Sequence, residues 1–403
     1  MSKGSILSYS FIALILLEGP FVTIFGIRGI HYIAEAIMLV AFFVFLTNKQ
    51  FKQILKNFPI VVWFLWIIYS LINWYFFQDI TPAAMNNPSS MNFIVRKLIV
   101  PLFMLTIAYF EGSRNISSLL RFLLVILTIY SIIGMTFQTA ATGVYSDERG
   151  GEYLGNSLPL TGCVLSFIVS IALSKKIISS RTFGVISIIA ILSILFGAAR
   201  KAMGGWAIIT LFLILGTLNL KDPKKIALFL ILGFGGYFFF DYMMENTVMG
   251  QRLSMIEETS MTYGAENSLF LKFMGDRAFF YIYGFELFLK NPLNGIGLTN
   301  FPIYMNTEVP IHSEYIVQLC ECGLIGSFLY LLFNASIIRS IIKAFKHTPY
   351  ALVMVCLGGM LSVLFISLYS WTYSITRYFM MFGIILSICA PLNKYKFNND
   401  NYR

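Results

Sequence analysis

The sequence is poor in charge. Only 12% of its 403 residues are Asp, Glu, Lys or Arg, about half the share usual in a soluble globular chain. It contains 19 acids, 12 prolines and three histidines. With 58% apolar residues and a mean hydropathy of +0.76, this excludes a water-soluble globular domain, a disordered chain, a collagen and a nucleic-acid-binding domain. The five cysteines (Cys163, Cys320, Cys322, Cys356, Cys389) lie in apolar runs and form no C-x-x-C pair. Neither a disulfide framework nor a metal site is expected, and Cys320 and Cys322 read as small helix residues. A nucleotide fingerprint is also missing. Gly295-x-Gly297 lacks a third glycine and a strand–helix setting, and reads as a tight turn. The first apolar run carries no small-residue cleavage site and leads directly into a second, so it is not a removable signal peptide.

Long hydrophobic runs are abundant. A bilayer-crossing helix needs roughly 20 mostly apolar residues, and twelve such runs are found near 5–27, 30–47, 59–77, 94–110, 119–140, 157–174, 183–199, 202–219, 226–243, 314–336, 350–371 and 375–391. The expected fold is an all-α polytopic membrane protein of about twelve transmembrane helices with one large outer loop. Helices one to nine fill 1–243, the loop fills 244–313, and helices ten to twelve with a C-terminal tail fill 314–403. Inside the loop, 267–290 reads as an amphipathic helix that Ser268 can cap and Asn291-Pro292 ends.

Charge sets the expected orientation. Alternate loops and the two termini hold eighteen of the 29 basic residues, with only Glu111, Asp222 and Asp400 as acids. By the positive-inside rule that side is cytoplasmic, and so are both termini. The net charge of +10 is therefore mostly topological.

The informative cations are those on the other side. Arg200-Lys201 follows the seventh run in FGAARKAMGGW, Arg96-Lys97 opens the fourth, and Arg277 lies one helical turn before Tyr281. Singly, each reads as a side chain reaching for lipid phosphates. As a set they run against the positive-inside bias and suit a phosphate or pyrophosphate, since arginine offers a planar fork of donors. His312 stands at the entry to the tenth run, in VPIHSEYIVQLCECGLIG. Ser313 can cap that helix, and the helix dipole disfavours imidazolium, which leaves a neutral ring able to accept a proton. On position alone an interfacial histidine is the competing reading. His31 beside Arg28 reads as interfacial, and His347 lies in a basic loop. Glu18 and Glu35 fall inside the first two runs and read as structural.

These features have a familiar order. Arg200 follows the seventh run. Further along come Arg277 and Tyr281, Asn291-Pro292-Leu293, Gly295-Ile296-Gly297, His312 with Glu314-Tyr315, then Glu321 and Gly323-Leu324-Ile325-Gly326. The block resembles the signature region of the O-antigen polymerase and ligase superfamily. The resemblance implies a membrane-embedded, metal-independent glycosyltransferase without a cofactor. It would act on undecaprenyl-pyrophosphate-linked oligosaccharides, as donor and acceptor, at the periplasmic face of the bacterial inner membrane. Carried over by position, Arg200 and Arg277 would hold the donor pyrophosphate and His312 would activate the acceptor hydroxyl. Tyr281 and Glu314 would bind substrate, and the cation argument adds Lys201, Arg96 and Lys97. Partners would include membrane lipids and a chain-length regulator, and no nucleic acid. The HSEY…ECGLIG form looks more like a polymerase than a ligase. The ligase stays open, as does a flippase or transporter, although no internal repeat favours the latter.

Overall fold

The structure is a computed structural model. It describes residues 3–25, 30–77, 98–140, 157–197, 199–217, 277–304, 311–370, 372 and 375–390. Among the described residues there are helices and no strand. In apolar surroundings an open strand would leave its backbone polar groups unpaired, whereas a helix satisfies its own. The helices are α1 (Lys3–Phe25), α2 (Ile30–Leu46), α3 (Lys49–Ile54), α4 (Phe58–Phe77), α5 (Val100–Ala140), α6 (Ser157–Ser174), α7 (Ser180–Phe196), α8 (Arg200–Thr217), α9 (Arg277–Lys290), α10 (Phe301–Tyr304), α11 (Glu314–Ala344), α12 (Tyr350–Ser367) and α13 (Thr376–Cys389). Five are long and apolar enough to cross a membrane, within α4, α5, α6, α11 and α12. Five shorter apolar helices lie within α1, α2, α7, α8 and α13. The expected run 226–243 lies outside the described residues.

The runs 94–110 and 119–140, expected as two helices, are two helical halves joined by a kink rather than by a loop, and together they make α5. It is interrupted only at Asn115 (φ −155°, ψ 82°), whose Oδ1 accepts from the Ser118 N–H at 3.0 Å and restarts the helix. Of the charges expected in that loop, the acid is folded inward. Glu111 is buried and accepts from the hydroxyls of Ser5 at 3.2 Å and Ser8 at 2.9 Å. Arg114 donates to Ser5 Oγ at 3.0 Å and lies 3.8 Å from the Glu111 carboxylate. A charged stretch read as a loop is thus an anchor for α1.

The core is built of rings. Trp63 and Trp66 of α4 stack with centroids 4.5 Å apart, and Trp63 lies 4.7 Å from both Phe333 of α11 and Phe379 of α13. Elsewhere the helices close on small residues. A Cβ on Gly383 of α13 would stand 2.6 Å from the Leu105 carbonyl oxygen of α5, so these two backbones nearly touch. α8 lies along α12, and α11 lies against α4, with α9 packed on α11. This arrangement brings the sequence-distant motif residues to shared helix ends.

Candidate functional site

α9 is described from Arg277 and ends at Lys290, where Asn291-Pro292 was expected to stop it, because proline cannot continue a helix ladder. Residues 267–276, with the expected Ser268 cap, lie outside the described residues. The chain then turns through 291–300 with positive φ at Gly295 (72°), Gly297 (93°) and Thr299 (67°). The tight turn read from Gly295-x-Gly297 is therefore present. A Cβ at Gly295 would lie 2.5 Å from the Cys320 carbonyl oxygen.

That turn serves α11. At Gly323 the helix breaks (φ 63°, ψ −164°), and the lost helical bonds are replaced from the turn. Leu324 N donates to Pro292 O at 2.8 Å, and Ile325 N to Leu293 O at 3.3 Å. In return Ile296 N donates to Cys320 O at 2.9 Å, and Gly297 N to Glu321 O at 3.0 Å. The buried Glu321 carboxylate accepts from Thr299 N at 2.9 Å and Phe301 N at 3.3 Å, which holds Thr299 in its unusual conformation. NPLNGIG and ECGLIG, about one α-helix length apart in the chain, are therefore one structural unit.

One face of α4 clamps this unit. Trp66 Nε1 donates to Gln318 Oε1 at 2.8 Å, and Tyr69 OH to Cys322 O at 2.7 Å. Asn73 donates to Asn294 O at 2.5 Å and accepts from Leu298 N at 3.1 Å. Sequence reasoning missed these residues. Their signal is a spacing of three and four along an otherwise apolar helix, which places them on one face.

A second assembly lies around the turn 368–370 that follows α12, with Thr372. Tyr281 OH bridges the carbonyl oxygens of His312 and Leu368, 3.1 Å from each. Lys201 Nζ donates to Ser370 Oγ at 2.9 Å. Glu314 is fully buried, and its carboxylate accepts from Thr372 N at 2.6 Å and Gln318 Nε2 at 2.8 Å. Thr372 Oγ1 in turn lies 2.7 Å from Ser367 Oγ. Four of the sequence-predicted residues, from α8, α9 and the entry to α11, thus meet at one turn, and α4 is linked to it through Gln318. The hydroxyls of Ser367, Ser370 and Thr372 were not anticipated, although three hydroxyls ending an apolar run are a legible irregularity.

The remaining predicted residues fall as follows. His312 is half-buried and stands two residues before α11. Ser313 occupies the N-cap position with an extended backbone (φ −136°, ψ 124°), but its side chain makes no cap hydrogen bond, so the expected hydroxyl cap is absent. Arg200 is the first residue of α8, and Arg277 lies on α9. Arg96 and Lys97 lie outside the described residues. The five cysteines are buried and form no disulfide. Tyr281 and Glu314 engage backbone and core partners, a geometry suited to positioning the site.

No protein-family model and no curated protein sequence matches this chain.

Proposed function

We propose that the protein polymerises undecaprenyl-pyrophosphate-linked oligosaccharide repeat units, of O-antigen or capsular type, by inverting glycosyl transfer at the periplasmic face of the bacterial inner membrane. In this reading twelve helices cross the membrane, residues 244–313 form the periplasmic loop, and both termini are cytoplasmic. The acceptor hydroxyl attacks the anomeric carbon of the donor's reducing-end sugar. The bond to pyrophosphate breaks, undecaprenyl pyrophosphate departs, and the hydroxyl proton passes to His312. Arg200 and Arg277, with Lys201, neutralise the leaving charge, which is the main electrostatic demand of the step. Tyr281 and Glu314 hold the His312 segment against Leu368 and Thr372.

The observation that carries the reading is the convergence of Lys201, Tyr281, His312 and Glu314 on that turn. The resemblance groups three of these residues, and the cation argument supplies Lys201 independently. The test is extension of a lipid-linked repeat unit by the detergent-purified full chain. Wild type is expected to give a ladder, and His312→Ala to lose roughly 10²–10⁴-fold in rate, as removal of a general base does, with an unchanged thermal unfolding midpoint. Full-length polymer from His312→Ala at normal protein level would overturn the base assignment. In cells, loss of the gene should leave core carrying a single repeat unit. Bare core with accumulated lipid-linked polymer would identify a ligase instead.

A further inference from the structure

α13 opens with Thr376-Arg377-Tyr378, a few residues beyond the turn that receives Lys201 and Glu314. The Arg377 guanidinium carbon lies 4.9 Å from the centroid of the Tyr130 ring on α5. Tyr130 is itself fixed by a close hydroxyl contact to Ser157 at the start of α6. The Arg377 Nε is buried and, among the described residues, has no hydrogen-bond partner. Among the described residues no carboxylate pairs with this guanidinium; the ion pair found there joins Arg114 to Glu111. Glu314, the acid of the neighbouring turn, is occupied by Thr372 and Gln318.

An arginine within an apolar bundle is costly unless it is paired, and such residues usually serve a ligand or a pathway. A tyrosine ring under a guanidinium engages the face of the group and not its N–H donors, which still need an acceptor. A planar donor edge with an unsatisfied nitrogen matches the oxygens of a phosphate. We propose that Arg377 is a phosphate-binding residue. It takes the pyrophosphate of the lipid-linked donor, as an arginine additional to Arg200 and Arg277. This inference rests on the glycosyl-transfer reading above. The shared chemistry is a lipid-borne phosphate, and an ordinary anionic phospholipid could present the same group.

The experiment measures binding of undecaprenyl pyrophosphate, and separately of phosphatidylglycerol, to the detergent-purified full chain by native mass spectrometry. The variants are Arg377→Lys, which keeps charge and ring contact but loses the fork, and Arg377→Gln. Thermal unfolding midpoints are recorded for each. Losing a charge-assisted contact should weaken undecaprenyl pyrophosphate binding about tenfold in Arg377→Lys and further in Arg377→Gln. Phosphatidylglycerol binding and the midpoint of Arg377→Lys should stay as in wild type. If Arg377→Gln is unstable, Arg377→Lys alone decides. Unchanged affinity in the variants of a wild type that binds and polymerises would overturn this inference and leave the function standing. A loss confined to phosphatidylglycerol would also overturn it. A wild type that neither binds undecaprenyl pyrophosphate nor makes polymer would overturn both.

Discussion

Two of the described helices, α5 and α11, are each broken once, and the breaks differ in kind. In α5 the interruption at Asn115 is repaired locally, by the side chain of Asn115 capping Ser118 three residues on. In α11 the interruption at Gly323 is repaired from a distance, by backbone groups of Pro292 and Leu293 and by the Glu321 carboxylate reaching Thr299 and Phe301. The first break tolerates any residue that can leave helical dihedrals at negative φ. The second is over-determined by a separate segment, and such backbone persists only where its surroundings enforce it. The break that is tertiary in origin is also the one in the segment that begins at His312.

The largest expected effect tests that contrast directly. At Gly323 an added Cβ would lie 2.5 Å from the Leu293 carbonyl carbon, at a φ of 63° that L side chains avoid. The neighbours are backbone atoms and cannot move aside singly. Gly323→Ala should therefore cost about 3 kcal/mol or more, the strain of an unfavourable conformation plus displacement of the turn. Size-exclusion profiles and thermal midpoints in detergent would report it. A midpoint within error of wild type would show that the turn 291–300 yields easily, and that the two breaks are alike.

This contrast also marks what could be read from sequence. The helices were legible because apolar runs of sufficient length impose helix in any setting without water, and the end of α9 was legible because Pro292 is a local stop. The runs 94–110 and 119–140 were legible as two helices, but the joint expected between them as a loop is a kink at Asn115. Glu111 and Arg114 look like loop charges until Ser5 and Ser8, over a hundred residues earlier, are known to face them. Within the site, His312, Tyr281 and Glu314 could be singled out by type and order. The turn around which they gather could not, since its bonds join Tyr281 to Leu368 and Lys201 to Ser370. Arg377 was overlooked because it sits inside an apolar run, and nothing local shows that its Nε lacks a partner.

A middle-sized effect is expected at the clamp between α4 and the turn. Asn73 is buried, and both ends of its amide are used, on Asn294 O and Leu298 N. Asn73→Ala removes both bonds and leaves a buried N–H without its acceptor, at a cost of about 2 kcal/mol. The thermal midpoint should fall and polymer formation should fall with it, because the turn supports the Gly323 break. A loss of stability with full activity would separate the clamp from the site.

The smallest effect belongs to the local break. Asn115 has a negative φ, so alanine can take its backbone conformation, and only the cap to Ser118 is lost. Asn115→Ala should cost about 1 kcal/mol and Asn115→Gly a few tenths, since glycine is tolerated at an N-cap. In a chain of this size the alanine variant's midpoint should drop by about 2 °C. Activity should be unaffected. Glycine is therefore acceptable at both breaks, whereas alanine is a mild fault at Asn115 and a severe one at Gly323. If Asn115→Ala proved as damaging as Gly323→Ala, the Asn115 break would depend on its tertiary surroundings too, through Glu111, Arg114 and the α1 serines.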